Sequence, residues 1–323
     1  MYRIDDATAA SSLPTPETAG AEGYFTEGDP VAGLPATNVR GSWLNMIQEE
    51  LCSILAAAGI ARSKTSYSQV NASLQKMYSP IVGAARNLAM SVSAAAATAT
   101  LMADQIIVAS ALGGQTFVLS NFNKTINLGT TGAGGIDAGV VPASGYVALY
   151  AIYNPTTNTS ALLATNATGA VQPNVYGGAY MPAGYTASAL VSVWPTNGSS
   201  QLVAGFQTDR KICIANINVL STTTVQASVV PLSIASAVPP NARTARGFSS
   251  IGTSASNAYA TFNAASSAAP LGMQQFQGQL TNSFTMNVTF DDVQLITQQT
   301  MYYAAIVNTG TMSANIYISG YTI

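Results

Sequence analysis

Phe284-Thr285-Met286-Asn287-Val288-Thr289-Phe290 alternates apolar and polar side chains residue by residue. Successive side chains of an extended chain point to opposite faces, so this is the pattern of a strand with one face buried. Similar runs occupy 98–110, 115–120, 146–153, 188–194, 201–207, 226–234, 301–308 and 314–321. In Ile212–Val219 the alternation slips between Ile214 and Ile217, which predicts a β-bulge or a bend. The alanine run 94–97 favours helix by propensity, but its flanks MSVS and TATL alternate, so a strand is expected. Turn-forming clusters divide the runs: Gly129–Gly139, NPTTNTS at 154–160, Val171–Gly184, Val238–Gly247 and the small-residue stretch 263–272. No helical pattern separates them and no repeat of fixed period occurs. The reading is mainly β, with a sandwich or jelly-roll-like body.

Upstream of Asn87 the period changes to that of a helix. Over 42–58, Trp43, Leu44, Ile47, Leu51, Ile54, Leu55 and Ala58 share one stripe, while Asn45, Gln48, Glu49, Cys52 and Ser53 take the far side. Gly59 is placed to end this helix. A shorter helix, about Tyr67 to Tyr78, lines up Tyr67, Val70, Leu74, Met77 and Tyr78, and Pro80 ends it. Each stripe needs cover. It is either a local helical hairpin or a collar in which copies of the chain pack together through Leu44, Ile47, Leu51, Ile54 and Leu55.

Residues 1–37 carry Pro14, Pro16, Pro30 and Pro35 among four glycines, which excludes helix and favours an extended arm. Tyr24 and Phe25 are adjacent bulky aromatics in that arm. They read as docking anchors, together with Trp43, against the alternative of a solvated tail. The expected division is an arm over 1–40, a helical module over 41–86, a β-rich middle over 87–175 and a sandwich-like head over 176–323.

Charge supports a two-part chain. Asp, Glu, Lys and Arg make up 7% of 323 residues, against roughly 25% in an ordinary domain. Residues 1–86 hold 14 of the 24 charges and residues 87–323 the other 10. A body of Ser, Thr, Asn, Gln and Gly with so little charge has little desolvation cost to oppose pairing with copies of itself, so a homo-oligomer is expected. No run of 18 or more apolar residues spans a bilayer, and a net charge of −2 gives no footprint for nucleic acid. Cys52 and Cys213 lie far apart with no metal-ligand spacing and read as free, buried thiols. The opening MYRIDDATAA lacks the basic and apolar segments of a signal peptide, so synthesis and assembly in a cytoplasm are expected.

The residue inventory argues against catalysis. With no histidine there is no Ser-His-Asp or Cys-His arrangement and no His-based metal site. GTTGAGGIDAG lacks the Gly-Lys-Ser/Thr ending of a phosphate loop and reads as a turn. Glycoside cleavage needs two carboxylates roughly 5–9.5 Å apart. Asp291 and Asp292 are adjacent at an expected strand end, where alternation would point them apart. A pair shared between two chains, or a calcium ion on these aspartates, stays open, but neither catalytic residues, cofactor nor metal is expected. Binding is better served. Tyr176, Tyr180, Tyr185 and Trp194 fall near loops, and tyrosine offers a flat apolar face with a hydroxyl at little entropic cost. Trp194, within an alternating run, reads as packing; the tyrosines, with Arg243 and Arg246, are the candidate binding residues. The two arginines either meet an anionic surface or keep a loop in water.

The segments Tyr24-Phe25-Thr26-Glu27-Gly28-Asp29-Pro30, Pro35-Ala36-Thr37, Trp43-Leu44-Asn45 and Gln48-Glu49-Glu50-Leu51 resemble the attachment module of bacteriophage tail fibres and related prophage proteins. The pattern continues through SKTSYSQVNASLQKMY into GAARNL at 83–88, about the first quarter of the chain. AGYTASALVSVWPTNGS at 183–199 and VLSTTTVQASVVPLSIASAVPPNAR at 219–243 carry a weaker likeness to the C-terminal region of such fibres. The resemblance implies an intertwined homotrimer in the virion tail. Its N-terminus would hold a tail or baseplate protein through Tyr24, Phe25 and Trp43, and its body would meet a bacterial surface glycan or protein by non-catalytic multivalent binding. Two alternatives remain: a tail-tip adaptor that carries a separate adhesin, and a capsule-degrading fibre.

Overall fold

The computed structural model describes residues 1–281 and 284–323. The chain divides into two compact units: residues 1–79 with 113–115, and residues 80–112 with 116–323.

In the first unit, helix α1 spans Gly41–Ala57 and α2 spans Gln69–Met77. Gly59 takes a left-handed φ of 64° just past α1. Its N–H reaches Ala56 O at 3.0 Å while Ile60 N reaches Leu55 O at 2.9 Å, which closes the helix. The two helices bury Cys52, Leu55 and Ala58 of α1 and its C-cap, and Gln69 and Ser73 of α2. Here the sequence reading of α2 is corrected. Its apolar stripe does not turn inward: Tyr67, Leu74, Met77 and Tyr78 are exposed. The polar side is inward because Gln69 is fully used there. Its side-chain oxygen accepts from the Met1 amine at 2.5 Å and from Ser63 N at 3.0 Å, and its amide donates to Ala61 O at 2.6 Å. A buried amide with every group paired carries little penalty. Cys52 is a free, buried thiol as expected, although the stripe placed it on the far side of α1, whereas Cys213 is only half-buried.

The second unit pairs its described strands antiparallel, and only isolated bridges at Thr131–Ile136 and Ile136–Ala164 are parallel among the described residues. Its strands are β1 (Ala85–Arg86), β2 (Ala89–Val92), β3 (Thr98–Ala109), β4 (Thr116–Asn127), β5 (Tyr146–Asn154), β6 (Thr159–Asn166), β7 (Ala187–Pro195) and β8 (Gly205–Thr208). They continue with β9 (Lys211–Thr222), β10 (Gln226–Ser233), β11 (Thr244–Thr253), β12 (Ala258–Ala265), β13 (Gln274–Leu280), β14 (Thr285–Gln294), β15 (Thr300–Val307) and β16 (Met312–Thr322). A twelve-stranded sheet runs β14-β11-β16-β9-β8-β2-β3-β7-β5-β6, with β1 and β4 also on β3. A four-stranded sheet runs β10-β15-β12-β13. Phe262 of β12 and Phe290 of β14, ring centroids 6.2 Å apart, join the sheets face to face. The mainly β, sandwich-like body expected from the alternation is the observed fold.

Where β5 and β7 pair, both strands are buried along nearly their whole length. Val147, Leu149 and Ala151 face the main core, and Tyr146, Ala148, Tyr150 and Ile152 face a second one with Tyr176 and Leu190. Trp194 is fully buried and donates its indole N–H to Val203 O at 3.0 Å. The expected boundary between 175 and 176 therefore falls inside one sheet, since β7 pairs with β5 and β8 with β2. A strand apolar on both faces needs neighbours on both, and these come from either side of that boundary.

The predicted slip is a bulge. Cys213 faces Gly320 and Ile217 faces Ile318, leaving three residues of β9 opposite one of β16. By contrast 94–97 is not strand but a bend with one isolated bridge, Ala96 to Leu202. β6, β11 and β12 overlap the turn-rich stretches 154–160, 238–247 and 263–272, and β13 follows just after the last of them.

Candidate functional site

In the first unit the leading arm lies along α1. Arg3 donates to both carboxylate oxygens of Glu49, at 2.7 Å from Nε, and Gln48 Oε1 accepts from Ile4 N at 2.7 Å. Lys64 closes on Asp5 at 2.7 Å. The hydrogen bond from Arg3 holds the Glu49 carboxyl below its usual range. Phe25 meets Trp43 edge to face with centroids 4.9 Å apart, so part of the extended arm is docked on its own helix. Beside them a groove of about 760 Å³ opens between residues 13–25 of the arm and the amino-terminal half of α1. Tyr24 lines its edge and is 98% exposed.

The residues expected to gather copies of the chain separate into two sets. Leu44 is 54% exposed and Ile47 is 37% exposed, with Leu51 and Ile54 half-buried. Leu55 is fully buried inside the hairpin and is corrected to an intramolecular packing residue. Adding Met46, Leu74 and Met77, the first unit presents exposed large apolar side chains from both helices.

The binding candidates in the second unit also separate. Tyr176 is buried; its hydroxyl donates to Asp137 Oδ2 at 2.7 Å and its ring packs edge-on against Tyr150 at 5.4 Å. Burial and then the Asp137 carboxylate push its phenol well above the usual range. It is corrected from a binding residue to the pin between the 171–184 loop and the Gly-rich turn. Tyr180 is 62% exposed, Tyr185 is half-buried and Arg243 is exposed. Arg246 is half-buried and lies 3.4 Å from Asp291. Asp291 and Asp292 do not end a strand. They occupy a bulge of β14 opposite Arg246, with Asp292 at a left-handed φ of 56°. The segments bearing Tyr180 and Arg243 are laced together through Gln172 and Asn241, which exchange two hydrogen bonds of 2.9 Å.

Sequence reasoning missed a second aromatic feature. Phe248 of β11 and Tyr317 of β16 are cross-strand partners stacked at 4.7 Å on the outward face, in one row with Thr289 and Asn218. Neither residue stands near a loop, so only the register could have found them. It also missed Arg210, which donates to Leu190 O at 2.9 Å and Gly83 O at 2.7 Å. Among the described residues no cluster of three or more Cys, Asp or Glu side chains is arranged to hold a metal ion.

No family model matches the chain. Over 77 residues it is 38% identical to the uncharacterized protein StfP of Escherichia coli (strain K12), a match that covers 24% of this chain and 35% of that protein. The likeness is partial: the chain spans about a third of the length of the curated relative it matches. A solved Bacillus thuringiensis Cry1Da tryptic core variant aligns over 78% of this chain and 54% of its own, at 8% identity and a TM-score of 0.21. That score carries no argument about fold or function.

Proposed function

We propose that the chain is a bacteriophage tail-fibre protein that attaches the particle to a host surface by non-catalytic, multivalent binding. The observation that carries this reading is the contrast between the two units. A normally charged arm-and-helix unit leaves apolar side chains of both helices uncovered, and it precedes a nearly charge-free antiparallel sandwich. Uncovered Leu44, Ile47, Leu74 and Met77 suit packing against copies of the same chain, and a homotrimer is the arrangement proposed. Tyr24, exposed beside the Phe25–Trp43 pair, is the proposed contact to the tail. Three weak sites held on one trimer bind more tightly than any one alone, without new contacts. The partial likeness to one Escherichia coli protein and the arm's resemblance to tail-fibre attachment modules support the same reading.

The full chain, added in excess, should block adsorption of particles that carry it. Failure to block, with retention of another virion protein instead, would favour the adaptor reading. Release of oligosaccharide from purified host glycan would favour a degrading fibre. A light-scattering mass equal to one chain would sink the trimer.

A further inference from the structure

The bulge in β9 does more than bend a strand. On the β8 side pairing ends at Gly205 with Ile214; on the β16 side it resumes at Ile217 with Ile318. Ala215 and Asn216 between them pair with neither strand and are exposed. Beside this gap lies a cavity of about 300 Å³, within the second unit. Its walls are apolar: Tyr146, Pro195, Val203 and the side chains of Ile214 and Ile217. The Tyr146 ring is held in place because its hydroxyl donates to Ala235 O at 3.1 Å on the far wall. Around the mouth stand Ser144, Asn216 and Ser236, all exposed. Among the described residues none of these three side chains is taken up by a hydrogen bond within the chain. None of the residues lining the cavity is charged.

We infer that this cavity is a binding site for one ring of a neutral saccharide. A pyranose carries C–H groups on its faces and hydroxyls around its rim, which matches an apolar floor ringed by an amide, hydroxyls and unpaired strand backbone. Small-molecule sites share this make-up, concave and mostly apolar with a few convergent polar groups, and roughly 300 Å³ is the lower end of their size range. An ionised ligand would be desolvated here with no counter-charge, so a neutral one is selected. The bulge supplies what a regular strand could not, because in an unbroken ladder the backbone of Ala215 and Asn216 would be consumed by β8 and β16. Only weak binding is expected from one shallow ring site. Its use in attachment rests on the adhesion reading above, whereas the binding itself does not.

The test is saturation-transfer NMR on the full chain with the methyl glycosides of glucose, galactose and N-acetylglucosamine, each alone. Transfer to the ring protons of at least one glycoside is expected. Ala215→Trp, at an exposed position over the mouth, should abolish it, and Asn216→Ala should weaken it several-fold. Thr289→Trp, on the outward face of β14, should leave it unchanged. No transfer from any glycoside, or equal transfer in Ala215→Trp, overturns the site. If Ala215→Trp loses its native near-UV circular dichroism, Asn216→Ala decides in its place. Adsorption blocking separates the two ideas. Blocking that survives without glycoside transfer leaves adhesion standing and removes this site. Transfer that is lost in Ala215→Trp, with no blocking by the unaltered chain, does the reverse.

Discussion

Asn241 grips the backbone of Gln172 from both sides: Gln172 N donates to Asn241 Oδ1 and Asn241 Nδ2 donates to Gln172 O, each at 2.9 Å. One side chain thus reproduces the pairing that a neighbouring strand would give, 69 residues away in sequence. Asn241→Ala leaves two backbone groups to find water. It should cost about 1–3 kcal/mol and speed amide exchange at Gln172, with exchange in the β5–β7 core unchanged. Hydrogen-exchange mass spectrometry checks both halves.

Tyr176 and Tyr180 are four residues apart and should respond in opposite ways. Tyr176→Phe removes the bond to Asp137 and should destabilise the second unit by about 1–3 kcal/mol while leaving adsorption blocking intact. Tyr180→Ala, at an exposed site, should leave the melting temperature nearly unchanged and weaken blocking. Equal blocking by both variants would remove Tyr180 from the binding surface.

Leu44→Glu combined with Ile47→Glu should reduce the light-scattering mass to that of one chain, with helical circular dichroism retained, because both side chains are exposed in the single chain. Leu55→Ala tests the packing of Leu55 inside the hairpin. It empties a fully buried position and should cost about 2–5 kcal/mol, seen as loss of the helical signal rather than as a simple change of mass.

Gly247 sits where an added Cβ would collide with the backbone carbonyl of Tyr317 across the β11–β16 ladder and with Phe290 beneath it. The ladder must part or the bulge between Arg246 and Gly247 must move. Gly247→Ala should therefore lower the thermal midpoint far more than Gly20→Ala, where nothing lies within 4 Å.

Alkaline pH should unfold the second unit through its buried phenols. Burial raises Tyr146, Tyr150 and Tyr321 above the ordinary value of 10.0. Their stabilisation is complete below pH 10 and declines above it, as the unfolded chain releases protons that the folded chain retains. Each tyrosine contributes a slope of up to about 1.4 kcal/mol per pH unit. Thermal midpoints should hold below pH 10 and fall steeply beyond it, and Tyr150→Phe should make that fall shallower.

Much of the architecture was legible because it was written in local periods. Strict alternation located β14, short apolar-rich runs located β3, β5, β7, β15 and β16, the 3.6-residue period located α1, and the break between Ile214 and Ile217 located the β9 bulge. The strands missed were those without a clean period. β13 reads Gln-Gln-Phe-Gln-Gly-Gln-Leu, and β11 begins in a stretch rich in turn-forming residues. For the candidate site, the exposed Tyr180 and Arg243 were legible, but the burial of Tyr176 was not. Its neighbours Gly177 and Gly178 are those of a surface loop, and the Asp137 that draws it inward is 39 residues away.

Taken by itself, the amino-acid sequence determined the two-part plan, since charge density and hydrophobic period are properties of neighbouring residues and need no fold to be read. It likewise determined the mainly β, sandwich-like character of the body and the helical character of residues 42–58. Which apolar faces are covered depended on long-range packing. Leu55 is hidden and Leu44 bare on one predicted stripe, and α2 is turned polar side inward by Gln69. It also decided that β5 and β7 share a sheet, and that the slip in β9 opens beside Tyr146, Pro195 and Ser236. The reason is common to all of these: burial depends on what partner arrives, and those partners come from distant positions in the chain.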